Sequence, residues 1–181
     1  IALRYCATMT NSAREVLEDC RVALTLLEEE TDLRRWRIHW AAAVSLIRAV
    51  GHVLDKVDGR DPVRKAISKE FFQRWKEAPE HEIFPKFIEH ERNNLLKEYA
   101  SDVNPMEKVP ILLQRKLVPL GGGAPIDIAD VVDLGENIYR PLLDGPWEGI
   151  DCREVLEEAI RWWECELSAV DDAVKLSKRA P

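Results

Sequence analysis

The chain has 181 residues, 46% of them hydrophobic and 33% charged, enough apolar mass to close a core without disulfides or a structural metal. Its 26 basic and 33 acidic residues leave a formal charge of -7, which repels phosphate at long range and disfavours nonspecific nucleic-acid binding. No apolar run approaches the roughly 18 residues of a membrane span; the most apolar stretch, Trp40 to Val50, is broken by Ser45 and Arg48.

Residues 1–8 contain Arg4 and are too short for a secretory signal, and Met9 is the expected natural start. The first helix is expected from Ser12, where Ser12 and Glu15 match a capping box. Ala13, Val16, Leu17, Cys20, Leu24 and Leu27 then recur at helical spacing, and Glu28, Glu29 and Glu30 put unfavourable charge at its end. Thr31 or Asp32 starts the second and longest helix, which runs to about Asp58. Its stripe of Leu33, Trp36, Trp40, Val44, Ile47, Leu54 and Val57 is widened by Ile38, Ala41, Ala42 and Leu46, the pattern of a central bundle helix. Gly59 fits a left-handed C-terminal position.

Asp61-Pro62 is a strong start signal for the third helix, with Val63, Ile67, Phe71, Phe72 and Trp75, stopping before Pro79. A fourth, from His81 or Glu82, tolerates Pro85 in its first turn, carries Phe84, Phe87, Ile88, Leu95, Leu96 and Tyr99, and ends by Asn104-Pro105. Prolines and glycines then break any long helix up to Gly149. Within that stretch, residues 111–118 and 126–132 read as short strands of a hairpin tipped by Gly121–Gly123. Asp151 and Glu154 form a second capping box before the last helix, which carries Val155, Leu156, Ala159, Ile160, Trp163, Leu167, Val170 and Val174. The expected fold is all-α: a single helical domain over 1–181, with a four-helix core at 11–104. An irregular Pro/Gly-rich insert at 105–150 precedes a C-terminal helix at 151–178 that packs back on the core, making a five-helix bundle.

The chemistry-bearing patterns are sparse. Three residues before His39, His52, His81 and His90 stand Trp36, Ala49, Ala78 and Phe87, so the Glu-x-x-His pairs of di-iron bundles are missing. No two histidines are four apart, and neither a metal nor a cofactor is expected. Gly121–Gly123 lacks the Lys-Ser or Lys-Thr of a phosphate loop, and no G-x-S-x-G marks a nucleophile. Cys6, Cys20, Cys152 and Cys165 are widely spaced; Cys20, Cys152 and Cys165 fall on helices as small hydrophobes, which favours a reducing cytoplasm, although an even count leaves pairing open. The clusters Arg34, Arg35, Arg37 and Lys175, Lys178, Arg179 read as a charged helix start and a cation-rich helix end, with RNA as the functional alternative.

The string Glu89-His90-Glu91-Arg92-Asn93-Asn94-Leu95-Leu96-Lys97-Glu98-Tyr99 stands out. On a helix Arg92 borders the apolar stripe, where a guanidinium either pairs with a carboxylate of the second or fifth helix or is presented to an anion. Arg92-Asn93, preceded by Phe87-Ile88 and followed by Leu95-Leu96, resembles the signature helix of the HEPN superfamily. That resemblance implies an α-helical bundle, often a homodimer, with kin among the metal-independent ribonucleases of toxin–antitoxin and defence systems. The motif's histidine should fall at Lys97, Glu98 or Tyr99 and does not; His90 lies on the wrong side of Arg92. Cleavage through a 2′-hydroxyl needs a group that shuttles protons near neutral pH, so the resemblance points to a non-catalytic binding or interaction module. Arg92, Asn93, Lys97 and Tyr99 are its candidate phosphate or ligand contacts, with a protein partner also open. A ribonuclease with a non-standard site around Arg92 is the alternative.

Of the six tryptophans, adjacent Trp162 and Trp163 point about 100° apart on a helix. One of them is expected under the insert or in a groove with Trp147. Trp147 and Trp162 are therefore the candidate aromatic groove, and a small-molecule pocket there is a further alternative.

Overall fold

The computed structural model describes residues 10–105, 109–134 and 137–178, so the readings made of residues 1–9, Cys6 and Arg179 fall outside the described residues. The architecture is the expected mostly helical bundle: α1 (Asn11–Glu29), α2 (Leu33–Lys56), α3 (Pro62–Glu77), α4 (His90–Glu98) and α5 (Cys152–Ser177). An antiparallel hairpin of β1 (Val109–Leu117) and β2 (Ile126–Leu134) precedes α5. α1 packs on α2 and α5, α5 reaches α3, and α4 lies along α2.

α2 is the central helix because Trp36, Trp40, Ala43, Val44, Ile47, Val50 and Leu54 bury one side of it. Its stripe is narrower than expected, and Ile38 is 61% exposed. Trp163 of α5 donates its indole N–H to the Ile47 carbonyl at 2.9 Å, and its ring lies against Gly51, where an added Cβ would stand 3.0 Å from it. Gly51 is therefore the residue that lets α2 and α5 approach.

Helix ends depart from the local reading in an instructive way. Asp32 and Asp61 cap α2 and α3 as expected, accepting from Arg35 N at 2.8 Å and from Val63 N at 3.0 Å. The Ser12–Glu15 box does not form. α1 starts at Asn11, and its free N–H groups at Ser12 and Ala13 donate to the Asp58 carboxylate at 3.2 and 2.9 Å. At its other end the side-chain amide of Asn137, itself at φ +56°, donates to the Leu27 and Glu28 carbonyls at 2.9 and 3.2 Å. Gly59 is not left-handed: it has φ -80° in a 3-10 turn, Asp58–Arg60, where a Cβ would meet the Leu54 carbonyl at 3.1 Å. Close approach rather than dihedral freedom selects glycine there.

The fourth helix also differs. A 3-10 turn at Pro79–His81 and a π-helical turn at Phe84–Glu89 come before α4, which stops at Tyr99 with φ +53°. Pro85, lacking an N–H, sits inside the wide turn. The insert is pinned at its base, where Val103 bridges Leu142 and Leu143 N donates to the Asp102 carbonyl at 2.7 Å. Arg153 of α5 clamps it further, holding the Asn137 and Ile138 carbonyls at 2.8 and 3.0 Å and the Asp151 carboxylate at 2.7 Å. Burial would raise the Asp151 carboxyl, but hydrogen bonds from the Arg153 side chain and the Arg140 and Arg153 backbone outweigh it and hold it below the usual carboxylate value. Among the described residues no helix is long and apolar enough to cross a membrane.

Candidate functional site

α4 runs antiparallel to α2, with Arg48 bonded to Glu89 at 3.1 Å near one end and Arg37 stacked 5.3 Å from the Tyr99 ring centre at the other. On α2 the residues Arg34, Arg37, Ala41, Ser45, Arg48 and His52 recur at intervals of three and four, so they share one side of the helix, flanking its buried stripe. An acidic chain thus carries a basic stripe along one helix, and α4 borders it.

Arg92 stands at the Arg48 end of this stripe. Among the described residues its guanidinium finds no carboxylate within ion-pair distance; its hydrogen bond goes to the Asn93 side-chain oxygen at 3.0 Å. Neither the α2 nor the α5 carboxylate partner anticipated for it is there. Arg48, its side chain only 11% exposed, spends its charge on Glu89 and lies over the Phe84 ring at 5.4 Å. His52 is held below the ordinary imidazole value, first by partial burial, then by the neighbouring charges of Arg48 and Arg92. It is therefore neutral at pH 7 and can take a proton when an anion arrives. Between α2 and α3, beside this cluster, a cavity of about 210 Å³ is lined by Arg48, His52, Lys69, Phe72 and Trp75.

At the other end of the stripe lies a groove of about 620 Å³, floored by Trp36, Trp40 and Leu95 and rimmed by Arg34, Arg37, Ile38 and Tyr99. Trp36 and Trp40 stack there with centroids 5.8 Å apart, and Tyr99 is 79% exposed. The candidate set of Arg92, Asn93, Lys97 and Tyr99 therefore divides. Arg92 and Asn93 join the Arg48–His52 cluster, Tyr99 joins Arg37 at the groove, and Lys97 is exposed on α4 with no part in either. Of the two basic clusters, Arg34 and Arg37 line the groove, while Arg35 pairs with Glu30 at 3.1 Å and Lys175 with Asp172 at 2.8 Å.

The two tryptophans of the expected aromatic groove occupy different surroundings. Trp162 does not pack under the insert: it shares an aromatic cluster with Trp163, Trp75 and Phe84, and its N–H donates to His81 Nδ1 at 3.2 Å. Trp75 and Phe84 lie so that both neighbouring indoles reach them, which is how two rings pointing apart join one core. Trp147 packs on Phe87 at 6.2 Å and lines a separate cleft of about 290 Å³ with His90, Glu91, Asp102 and Asp144. There His90 Nε2 lies 2.9 Å from the Asp102 carboxylate.

Sequence reasoning missed Arg48 and His52. Their signal was present in the three- and four-residue recurrence from Arg34 to His52, but it was masked by the stronger apolar stripe that it flanks. The chain matches no protein-family model, no curated protein and no solved structure.

Proposed function

We propose that this protein is a non-catalytic binding module of the HEPN type, dimeric and belonging to a defence or toxin–antitoxin type system, whose α2–α4 face takes a phosphate-bearing strand. The observation that carries this reading is the Arg92 guanidinium: partly buried, beside Arg48 and His52, and bonded, among the described residues, only to its neighbour's amide. A cation without a carboxylate at a packed boundary is poised for an external anion, and its planar fork suits phosphate. The stripe through Arg37 and Arg34 and the exposed Tyr99 ring extends the site, as backbone-tracking cations and a stacking platform do for single strands. A ribonuclease is the second reading, favoured by His52, which brings a neutral imidazole from α2 to the Arg92 neighbourhood, whereas α4's own His90 is bonded to Asp102.

Fluorescence anisotropy with a short labelled single-stranded RNA, followed by a gel of the same RNA, tests both. Saturable binding that weakens about tenfold in Arg92→Ala, the loss of one charge-assisted contact, with the RNA left intact, is the expected result. Because a bound phosphate raises the His52 pKa, affinity should also rise as pH falls toward the free imidazole's depressed value and level off below it, and His52→Gln should flatten that slope. Equal binding by wild type and Arg92→Ala would remove the proposal. Cleavage lost in both Arg92→Ala and His52→Gln would replace it with the ribonuclease.

A further inference from the structure

Side chains alternate along β1 and β2, and cross-strand partners share a face. The register pairs Ile111 with Val132, Leu113 with Asp130, Arg115 with Ile128 and Leu117 with Ile126. One face of the hairpin is therefore aliphatic around a single cation, Arg115, and a single anion, Asp130. The other face mixes Gln114, Lys116, Asp127 and Asp133 with Leu112 and Val131. On the aliphatic face Leu117, Ile126 and Val132 are 53%, 58% and 37% exposed. The two strands pack chiefly on each other rather than on the helices.

An antiparallel sheet with one apolar face is patterned to be covered on that face, and a lone two-stranded hairpin is marginal in water. We infer that a second copy of the chain supplies the cover: the aliphatic faces of two hairpins stack, and Arg115 of each copy reaches the partner's Asp130. Charge selects a like face over a foreign one. Arg115 and Asp130 sit on neighbouring rungs of opposite strands, so a two-fold that lays β1 over the partner's β2 sets each beside its opposite. Within one chain, among the described residues, neither side chain makes an ion pair. The surface is small. Two nine-residue strands present a face of roughly 30 Å by 10 Å. The pair of faces buries roughly 600 Å², about half of what stable complexes bury, so the association is a concentration-dependent equilibrium.

This inference specifies the surface for the dimer in the functional reading and is independent of Arg92. Sedimentation equilibrium across a concentration series tests it. Wild-type protein should move toward twice the monomer mass, and Arg115→Glu and Asp130→Arg should each weaken dimerisation about tenfold by placing like charges together. The double variant Arg115→Glu/Asp130→Arg should restore it, and the helical circular dichroism of all three variants, which alter exposed side chains away from the bundle, should stay unchanged. Monomer at every concentration overturns both the hairpin interface and the dimeric part of the functional reading. A dimer indifferent to the single variants, or one that the double variant fails to restore, overturns the hairpin interface alone.

Discussion

Two neighbours on α4 separate structural from functional charge. Glu91 is 2% exposed, and its carboxylate accepts from Trp40 Nε1 at 3.0 Å, from the Ser101 hydroxyl and from the Asp102 backbone at 3.3 Å. Its oxygens join α2, α4 and the segment that leads from α4 into the insert. Removing it leaves donors at a buried junction, so Glu91→Ala should cost about 1–3 kcal/mol in urea unfolding followed by tryptophan fluorescence. Arg92→Ala removes a side chain with no carboxylate partner among the described residues and should fall within about 0.5 kcal/mol of wild type in the same experiment. Equal losses for the two would mean that Arg92 holds the fold. The sequence placed both residues on the right helix, but it singled out Arg92 and passed over Glu91. Apolar periodicity marks which positions face inward and says nothing of which inward polar group finds donors.

At the scale of elements, the spans of α1, α2, α3 and α5 were legible, that of α4 was not, and helix ends were legible only where a neighbouring residue sets them. The α2, α3 and α5 starts follow from Asp32, Asp61 and Asp151, each of which caps its own helix. α1 is satisfied from a distance, by Asp58 at its N-terminus and Asn137 at its C-terminus. No window of neighbouring residues contains that information. Asp58→Ala should therefore destabilise the protein by about 0.5–2 kcal/mol, the range for a lost cap, whereas Ser12→Ala, which removes a hydroxyl that does no capping, should be near neutral. Thermal melts of the two variants decide it, and the reverse order of stabilities would reinstate the local capping box. The hairpin was legible because alternation and a glycine tip are both local signals. The basic stripe on α2 is equally local, but it becomes a site only once α4 is laid beside it.

For the whole molecule the question is whether α1 and α5, at opposite ends of the chain, open together. Polar contacts tie them: Asp171 of α5 accepts from Thr10 and Arg14, each at 3.1 Å, and Arg21 pairs with Glu164. Each helix also carries a natural reporter. Cys20 on α1 and Cys152 at the start of α5 are fully buried; burial pushes the Cys20 thiol up to about 12 and raises Cys152 well above the ordinary value. Cys165 on α5 is exposed. Thiolate is the reactive form and needs access to the reagent, so Cys165 should label promptly in the native protein while Cys20 and Cys152 wait for opening. If the bundle is one cooperative unit, their labelling rates, followed by peptide mass mapping, should share one dependence on urea, with the slope of global unfolding. A shallower slope at Cys152 alone would reveal a separate opening of the α5 start with the insert that Arg153 clamps to it, making that junction rather than the bundle the weak point of the molecule.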